Sequence, residues 1–284
     1  MRISLFLKSA AKLIKVLKFP KHEKIMPIYL LFLFVAAVPI DQPKNKKKGV
    51  QTVIIDAGHG GHDSGCMYGG VKEKDLTLRM ALALGTRITE LIPEVKIIYT
   101  RKTDKFVELW ERADIANRNN ADLFISLHCN SSPNPKTSGT ETFAMGLHKA
   151  NSNLAVAKRE NDVLLLESDY QNKYDGFDPN SPESHIYFSL FQNAYMEQSI
   201  KFASKVESHI SKSVHRPSRG VKQAGFVVLW KTGMPSVLVE SGFLSNKSDR
   251  EYLGSEEGLF EFSNALALAF KDYKLQFEGT STPK

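Results

Sequence analysis

Short apolar runs alternate with segments of helical periodicity through most of this 284-residue chain. The runs have the length of buried strands and are rich in Val, Ile and Leu. They predict strands at residues 51–56, 95–100, 122–127, 139–145, 226–229 and 236–239. Because helical segments separate many of these runs, the pattern predicts an α/β fold with a mostly parallel sheet that helices cover on both faces.

Apolar residues three and four positions apart predict the helices. One helix begins near Glu73 and ends before Pro93, and a second begins near Leu109 and ends in a polar cluster. Further helical patterns cover residues 154–166, 187–206 and 258–273. The polar stretch 168–183 has the composition of a functional loop or lid.

The first 48 residues differ from the rest in charge and hydropathy. The chain has a formal net charge of +7, and lysines concentrate in this segment. The apolar stretch 25–40 is shorter than the roughly 20 residues of a membrane-spanning helix. Lysines before it and small residues near its end are typical of a signal peptide. An uncleaved anchor and a true start at Met26 are the alternatives.

The sequence therefore divides into three parts. We expect residues 1–48 to form a signal peptide or N-terminal anchor with a basic linker, residues 49–275 to form one folded domain, and residues 276–284 to form a flexible tail. A basic chain could bind nucleic acid, but no RNA- or DNA-binding signature is present, so we expect no nucleic-acid partner. We expect contact with a membrane only through the N-terminal segment.

Four candidate catalytic side chains lie at the ends of predicted elements. His59 and His128 follow the first and third strands, and His59 stands in a glycine-rich turn. Glu240 ends the last strand, and Glu73 opens a helix. Ligands of an open α/β sheet gather at the carboxyl ends of its strands. Two His and one carboxylate commonly bind catalytic zinc, and a further carboxylate can act as general base. Residue type alone leaves a surface histidine or a favourable first-turn charge as alternatives.

The chain has two cysteines, Cys66 and Cys129, and both stand near these candidates. Two cysteines are too few for a disulfide framework. They either pair with each other or pack as small buried hydrophobic residues, and we expect the second.

Six sequence blocks occur in order between residues 52 and 270. They are IIDAGHGGHDSG, KEKDLTL, TRKTD, ERADIANRNNADLFISLHCNSS, RGVKQAGFVVL and PSVLVESGFLSN. Together they resemble the zinc-dependent N-acetylmuramoyl-L-alanine amidases of bacterial cell walls. A further block, KRENDVLLLESDYQNKYDGFDPNSPESHIYF, resembles the amidases of the Bacteroidetes type. Six ordered blocks are far more specific than any single motif.

The resemblance implies a three-layer αβα fold of the phosphorylase/hydrolase-like kind, with a twisted, mixed and mostly parallel sheet of about six strands. It implies that His59, Glu73 and His128 bind one Zn²⁺ and that Glu240 is the catalytic glutamate. The implied reaction hydrolyses the amide between the lactyl group of N-acetylmuramic acid and L-alanine of the stem peptide. Zn²⁺ would polarise the lactyl carbonyl and hold the attacking water, while Glu240 takes the proton and passes it to the leaving nitrogen.

Residues 151–199 form an insertion between the second histidine strand and the last strands. In related division amidases a helix at this place occludes the zinc, and an acidic side chain fills its open position. The acidic plug candidates here are foremost Glu160 and Glu167, and also Asp162, Asp169 and Glu183. The alternative is that the insertion only shapes the substrate groove.

The resemblance also implies where the protein works. The substrate would be peptidoglycan, through its muramyl peptides, in cell-wall turnover and daughter-cell separation. We expect export to the periplasm of a Gram-negative bacterium, with an uncleaved N-terminal segment as an alternative tether to the inner membrane. Similar proteins lead us to expect an activator protein that relieves inhibition by the insertion.

Three polar residues near the candidate site have less specific expected roles. Asp56 either orients His59 or anchors its turn. Asn130 either contacts the substrate or caps the loop that follows it. Gln223 is a candidate substrate contact at the edge of the groove.

Other arginines and histidines are expected to have structural or surface roles. We expect Arg101 and Arg112 to pair with carboxylates. Four histidines outside the matched ligand positions are expected on the surface, and they are His62, His185, His209 and His215.

Two other functions compete with a zinc amidase. A wall-binding protein could keep the scaffold without catalysis, but all four matched polar residues are present. A metallohydrolase acting on another amide, such as a cytosolic peptide, conflicts with the export-like residues 25–40. Metal content would separate the first alternative, and cell fractionation would separate the second.

Overall fold

The computed structural model describes residues 49–148, 150–179, 181, 183–184, 186, 194–214 and 216–279. The strands of this part of the chain are β1 (Thr52–Ala57), β2 (Met67–Tyr68), β3 (Val71–Lys72), β4 (Lys96–Tyr99), β5 (Leu123–Asn130), β6 (Thr140–Met145), β7 (Ser218–Ala224) and β8 (Ser236–Phe243). The helices are α1 (Glu73–Leu91), α2 (Leu109–Arg118), α3 (Asn151–Asn161), α4 (Tyr170–Lys173), α5 (Met196–Ser213), α6 (Val227–Trp230), α7 (Lys247–Gly254) and α8 (Glu256–Phe277). A 3-10 helix, Asp162–Leu166, follows α3 directly.

Six strands form one mixed sheet in the order β4-β1-β5-β8-β6-β7. β1 pairs in parallel with β4 and β5, and β8 pairs in parallel with β5. β6 runs antiparallel to β8 and parallel to the edge strand β7. β2 and β3 form a separate antiparallel pair. The predicted mixed and mostly parallel sheet is therefore confirmed.

Helices cover both faces of the sheet, which explains why its central strands are continuous apolar runs. Val53 and Ile55 of β1 belong to a core that also contains residues of α1, α5 and α8. Ile54 belongs to a second core, which contains residues of α2, α3 and α6. Since successive side chains of a strand point to opposite faces, one apolar strand supplies both cores, and the result is the predicted three-layer arrangement.

The strand predicted at residues 226–229 is wrong. This apolar run forms the short helix α6, whose first three residues are buried. The strand in this region is β7, an edge strand whose residues are mostly half-exposed or exposed, such as Arg219 and Lys222. An apolar run indicates burial, and a short run cannot distinguish a buried strand from a buried helical turn.

The predicted helices differ from the observed ones mainly at their ends. The helix predicted at 154–166 is two elements, α3 and the 3-10 helix. α5 corresponds to the later part of the pattern at 187–206, of which residues 187–193 lie outside the described residues. α8 extends past the start of the predicted tail at 276, and residues 280–284 lie outside the described part.

The N-terminal segment was expected to be a signal peptide or an anchor. Residues 1–48, with Met26 and the apolar stretch 25–40, lie outside the described residues. Among the helices that the structure describes, none is long and apolar enough to cross a membrane. The expected targeting role of residues 1–48 therefore stays a prediction.

Candidate metal centre

Four buried side chains converge beyond the carboxyl end of β1 and beside the end of β5. They are His59, Glu73, His128 and Glu160, and their ligand atoms lie within 4.8 Å of one another. His59 Nε2 and His128 Nδ1 each lie between 2.9 and 3.3 Å from both Glu73 Oε1 and Glu160 Oε2. The three predicted ligands are thus brought together, and a fourth side chain from the insertion joins them.

The chemistry of this set fits a metal ion. Imidazole nitrogens and carboxylate oxygens are the ligands of four-coordinate zinc sites. His59 Nε2, His128 Nδ1 and Glu160 Oε2 are buried and have no hydrogen-bond partner among the described residues. Because unpaired buried polar atoms are costly, a cation between these atoms would satisfy all three. The four side chains could therefore hold a metal ion.

The turn after β1 brings the two imidazoles close together. His59 has a φ of 60°, in the left-handed region that residues with a Cβ rarely adopt. Gly58 lies against the ring of His128, and a Cβ on Gly58 would be 2.5 Å from ring atoms. The two ring centroids are 4.9 Å apart. The glycine therefore makes room for the second ligand.

Glu73 opens α1, and backbone amides hold both of its carboxylate oxygens. Oε2 accepts a hydrogen bond from Cys66 N at 2.9 Å, and Oε1 accepts one from Cys129 N at 2.8 Å. Both cysteines are free thiols, which confirms that they do not pair with each other. Burial raises the pKa of both thiols, so they pack as neutral side chains beside the cluster.

Glu240 lies next to the cluster on the neighbouring strand. The register of β5 and β8 pairs His128 with Glu240. Glu240 is fully buried, and its Oε2 has no hydrogen-bond partner among the described residues. Burial and the charge of Glu160 raise the pKa of Glu240 well above its ordinary value, against the opposing charge of Arg159. A protonatable carboxyl group therefore stands beside the ligand atoms without being one of them.

The charged side chains of the cluster shift one another's pKa values. Burial would lower the pKa of His128, but the charge of Glu160 and the close contacts of its Nδ1 with the carboxylates of Glu160 and Glu73 raise it to about 9. Burial would raise the pKa of Glu160, but the charges of His128 and Arg159 hold it well below its ordinary value. Without a metal, the buried carboxylates and imidazoles therefore compensate one another's charge.

Asp63 orients His59, a role that the sequence analysis considered for Asp56. His59 Nδ1–H donates to Asp63 Oδ2 at 2.7 Å, and both side chains are buried. A carboxylate on the far nitrogen of a ligand histidine fixes the tautomer and the ring orientation. A sequence signal existed, because Asp63 stands four residues after His59 in the first of the six sequence blocks.

Asp56 instead anchors the turn, the second of its two expected roles. Its carboxylate accepts hydrogen bonds from Arg112 and Thr100 at 2.7 Å and from Ser126 at 2.6 Å. Burial alone would raise the pKa of Asp56, but the Arg112 guanidinium and the two hydroxyl groups hold it below its ordinary value. Arg112 also donates to two carbonyl oxygens of the turn that carries His59.

The other arginine and the predicted surface histidines have varied outcomes. Arg101 donates its hydrogen bonds to carbonyl oxygens of the β1 turn and α1 and to a threonine hydroxyl, so its expected pairing with a carboxylate is wrong. His62 is exposed, and half-buried His209 contacts an aspartate of α8 at 2.8 Å. His185 and His215 lie outside the described residues.

Among the acidic residues of the insertion, Glu160 is the candidate that reaches the cluster. Glu167 is buried elsewhere, where it accepts hydrogen bonds from the backbone of Leu109 and from the hydroxyl of Tyr174. Its candidacy as the plug is therefore wrong. The remaining candidates are exposed and outside the cluster, and they are Asp162, Asp169 and Glu183.

Arg159 connects the insertion to the site, and the sequence analysis did not single it out. Its Nη2 lies 3.0 Å from Glu160 Oε1, 3.0 Å from Asn130 Oδ1 and 3.4 Å from Glu240 Oε1. These contacts depend on the packing of α3 against the sheet edge. The only sequence signal was that Arg159 is adjacent to a plug candidate.

Asn130 and Gln223 have different surroundings. Asn130 Oδ1 accepts a hydrogen bond from Ser131 N at 2.7 Å, which caps the loop after β5. Its Nδ2 is buried and has no hydrogen-bond partner in the described part of the chain. Gln223 lies on the edge strand β7, where its amide contacts Met196 of α5. The structure therefore places Asn130, and not Gln223, beside the cluster of candidate metal ligands.

A sheet edge with two buried imidazoles and two carboxylates, and a further carboxyl group in register beside them, is typical of a metal-dependent hydrolase. The family described as N-acetylmuramoyl-L-alanine amidase (Amidase_3) matches residues 53–272. The chain belongs to this family, and it is therefore a peptidoglycan amidase, as the sequence blocks predicted.

Individual relatives agree with this assignment. N-acetylmuramoyl-L-alanine amidase AmiA of Escherichia coli K12 is 34% identical over 231 residues, which cover 80% of this chain and 77% of AmiA. The solved amidase AmiC2 of Nostoc punctiforme is 29% identical, with a TM-score of 0.55, and the match covers 82% of this chain and 99% of AmiC2. A solved amidase of Clostridium difficile 630 matches the fold with a TM-score of 0.60 at 24% identity, over 79% of this chain and 97% of that one.

We expect Arg112→Ala to destabilise the domain by about 3–5 kcal/mol, because it leaves the Asp56 carboxylate buried without its cation. Chemical denaturation of the metal-free protein measures this loss. In the double variant Arg112→Ala/Asp56→Ala the loss should be smaller than the sum of the two single losses. Additive losses would show that the pair is not energetically coupled.

We expect Asp63→Ala to weaken Zn²⁺ binding by about 10- to 100-fold, because the ring of His59 loses the acceptor that orients it. Competition with a chromogenic chelator measures the affinity. The matched control is Asp114→Ala, which removes an exposed carboxylate that pairs with Arg118. Equal affinities of the two variants would contradict the role of Asp63.

Proposed function

We propose that this amidase is zinc-dependent, that His59, Glu73 and His128 bind the zinc, and that Glu240 moves the protons. We also propose that the enzyme is held in an inhibited state by Glu160 of the insertion. The observation that carries the proposal is the convergence of the ligand atoms within 4.8 Å, with Glu240 in register beside His128.

The choice of zinc rests on the donor set. Two imidazole nitrogens and one carboxylate oxygen form a common protein ligand set of hydrolytic zinc sites, which keep the fourth position for water or substrate. Bound Zn²⁺ would supply Lewis-acid polarisation of the scissile carbonyl and lower the pKa of a water molecule toward 7. Calcium and magnesium prefer oxygen ligands, so two imidazoles disfavour them.

Glu240 suits the proton transfers of amide hydrolysis. Its buried carboxyl group, with an Oε2 that has no hydrogen-bond partner among the described residues, is placed to take a proton from water and then return one. In the proposed reaction the proton passes to the nitrogen of the L-alanine leaving group. The bond broken joins this nitrogen to the lactyl carbonyl of N-acetylmuramic acid in peptidoglycan.

Two further residues support the reaction in this proposal. Asp63 keeps His59 Nε2 directed at the cluster through the hydrogen bond to Nδ1. Asn130 offers its buried and unpaired Nδ2 as a hydrogen-bond donor to the substrate. A donor that is already fixed by neighbouring contacts stabilises developing negative charge without reorganisation.

Two contacts of α3 support the proposed inhibited state. Glu160 Oε2 stands where a catalytic zinc site keeps a position for water, 2.9 Å from His128 Nδ1. Arg159 Nη2 lies 3.4 Å from Glu240 Oε1. Both the fourth ligand position and the proton-transfer group are therefore engaged by adjacent residues, and α3 must move before the substrate can bind. The two contacts favour an inhibitory role of the insertion over a role that only shapes the substrate groove.

We propose that a protein partner releases the insertion. A solved structure of CwlD amidase from Clostridioides difficile, 22% identical to this chain with a TM-score of 0.57, contains that enzyme in complex with the GerS lipoprotein. For this chain the support is the buried plug itself, because a partner that binds the insertion only in its open form would shift the closed–open equilibrium toward the open form.

We also propose that the enzyme is exported to the periplasm of a Gram-negative bacterium. The substrate lies outside the cytoplasm, and residues 25–40 have the pattern of a signal-peptide core. Residues 1–48 would be cleaved or would remain as an anchor to the inner membrane.

We expect Glu240→Gln to abolish release of stem peptides from purified sacculi while zinc content stays at about one ion per chain, because Glu240 is not a ligand. Metal analysis and chromatography of the released peptides measure both properties. Glu207→Gln changes another buried carboxyl group, which hydroxyl groups surround, and it should keep the activity. Activity of Glu240→Gln near that of the control would exclude the proposed role.

We expect Glu160→Ala to raise the rate of peptide release at least tenfold in the absence of any partner, because the fourth position becomes open. Zinc should be retained through the other three ligands. Arg118→Ala, on the exposed end of α2, is the control and should leave the rate unchanged. A folded, zinc-containing Glu160→Ala enzyme with unchanged or lower activity would reject inhibition by Glu160.

A further inference from the structure

Glu167 is seven positions beyond the plug residue Glu160, and it binds helix α2 rather than the metal cluster. Its Oε1 accepts a hydrogen bond from Leu109 N at 2.7 Å, and its Oε2 accepts one from the Tyr174 hydroxyl at 2.7 Å. That hydroxyl also accepts a hydrogen bond from Trp110 N at 2.8 Å. Two residues of the insertion thus satisfy the first two backbone amides of α2.

These amides would otherwise lack side-chain partners, because α2 does not cap itself. Glu108 stands at the N-cap, but its carboxylate is turned toward the Lys173 ammonium, at 2.7 and 2.9 Å, and toward the indole of Trp110. The first amides of a helix have no partner within the helix, and a carboxylate near them is stabilised by the helix dipole. The insertion therefore supplies a cap that the helix lacks.

The cap and the plug are parts of one continuous segment that packs against the domain. Asn161, next to Glu160, is buried, and its side chain donates to Gly225 O at 2.8 Å and accepts from Val227 N at 2.9 Å. Val163 and Leu164 of the following 3-10 helix are buried in the core that includes α2 and α6. Because only six residues separate Glu160 from Glu167 and several of them are packed in this core, withdrawal of Glu160 is opposed while Glu167 and Tyr174 stay bound to α2.

We infer that Glu167 and Tyr174 form a latch that holds the plug segment in the inhibited position by capping α2. The inference rests on the proposed inhibition by Glu160, and it adds the contact that must break before the plug can leave. α2 is a suitable anchor, because Arg112 on its next turn holds the loop of His59. The latch therefore fixes the plug relative to the ligands that it blocks.

The test uses the zinc-loaded full chain and two latch variants. Tyr174→Phe removes the hydroxyl group and keeps the buried ring, and Glu167→Ala removes the carboxylate. Tyr170→Phe is the matched control, since it makes the same chemical change in the same segment at a half-buried ring. Peptide release from sacculi and hydrogen exchange of residues 151–166 are measured for each variant, after thermal unfolding has shown that each is folded.

We expect both latch variants to raise partner-free peptide release about tenfold, the effect of losing one good helix cap on a closed–open equilibrium. Hydrogen exchange in α3 and the 3-10 helix should accelerate to a similar extent, and Tyr170→Phe should change neither property. In a Glu160→Ala background the latch variants should add no further activity, because the site is already open.

Two results would overturn the latch. One is that hydrogen exchange in residues 151–166 is as slow in both latch variants as in the wild type. The other is faster exchange confined to the first turn of α2, which would show an ordinary helix cap without control over the plug. Failure of the proposed inhibition can be distinguished from failure of the latch. If inhibition by Glu160 is wrong, Glu160→Ala has unchanged or lower activity. Hydrogen exchange of α3 tests the latch without an activity measurement.

Discussion

The structure depends on burying several charged groups in one place without leaving them uncompensated. His59, His128, Glu73, Glu160 and Glu240 all lie beneath the surface at one edge of the sheet. Charges in such a position are tolerated only when each has a close partner of opposite charge or a set of hydrogen bonds. The backbone amides on Glu73, the Asp63 carboxylate on His59 and the Arg159 guanidinium between Glu160 and Glu240 supply these partners, and a divalent cation would complete them.

Support for the site extends through α2 to the insertion. Arg112 of α2 pairs with Asp56 near the end of β1. It also donates hydrogen bonds to two carbonyl oxygens of the turn that carries His59. The first turn of the same helix receives Glu167 and Tyr174. One ten-residue helix therefore contacts both the ligand loop and the segment that brings Glu160 to it. This connection holds the described part of the insertion in a fixed position relative to the loop of His59.

Periodicity predicted most of the fold because central strands are apolar on both faces and the long helices have one buried stripe. It failed at β7, where an edge strand is polar, and at α6, where a buried helical turn is as apolar as a strand. The ligands could be placed because they stand at strand ends and in specific sequence blocks. The sequence could not show which nearby aspartate contacts His59, because this depends on the path of the turn after β1. Asp56 lies within β1 and pairs with Arg112, whereas the turn places Asp63 beside the imidazole of His59. Glu160 and Glu167 are alike in sequence, and only the packing of α3 distinguishes the plug from the cap.

The difference between those two glutamates also bears on how an inhibited enzyme can still be switched. A carboxylate on the same chain competes for the fourth ligand position at a high effective concentration, so even a weak ligand can close the site. That concentration depends on how firmly the segment is held, because a segment free to move samples many other positions. In this chain the segment is held by the apolar packing of Val163 and Leu164 and by hydrogen bonds. The Asn161 side chain bonds the loop before α6, and Glu167 with Tyr174 bonds the first turn of α2. A partner that competes for those contacts therefore needs no access to the buried site, and it can open the site by lowering the effective concentration of Glu160 rather than by pulling a ligand from the metal.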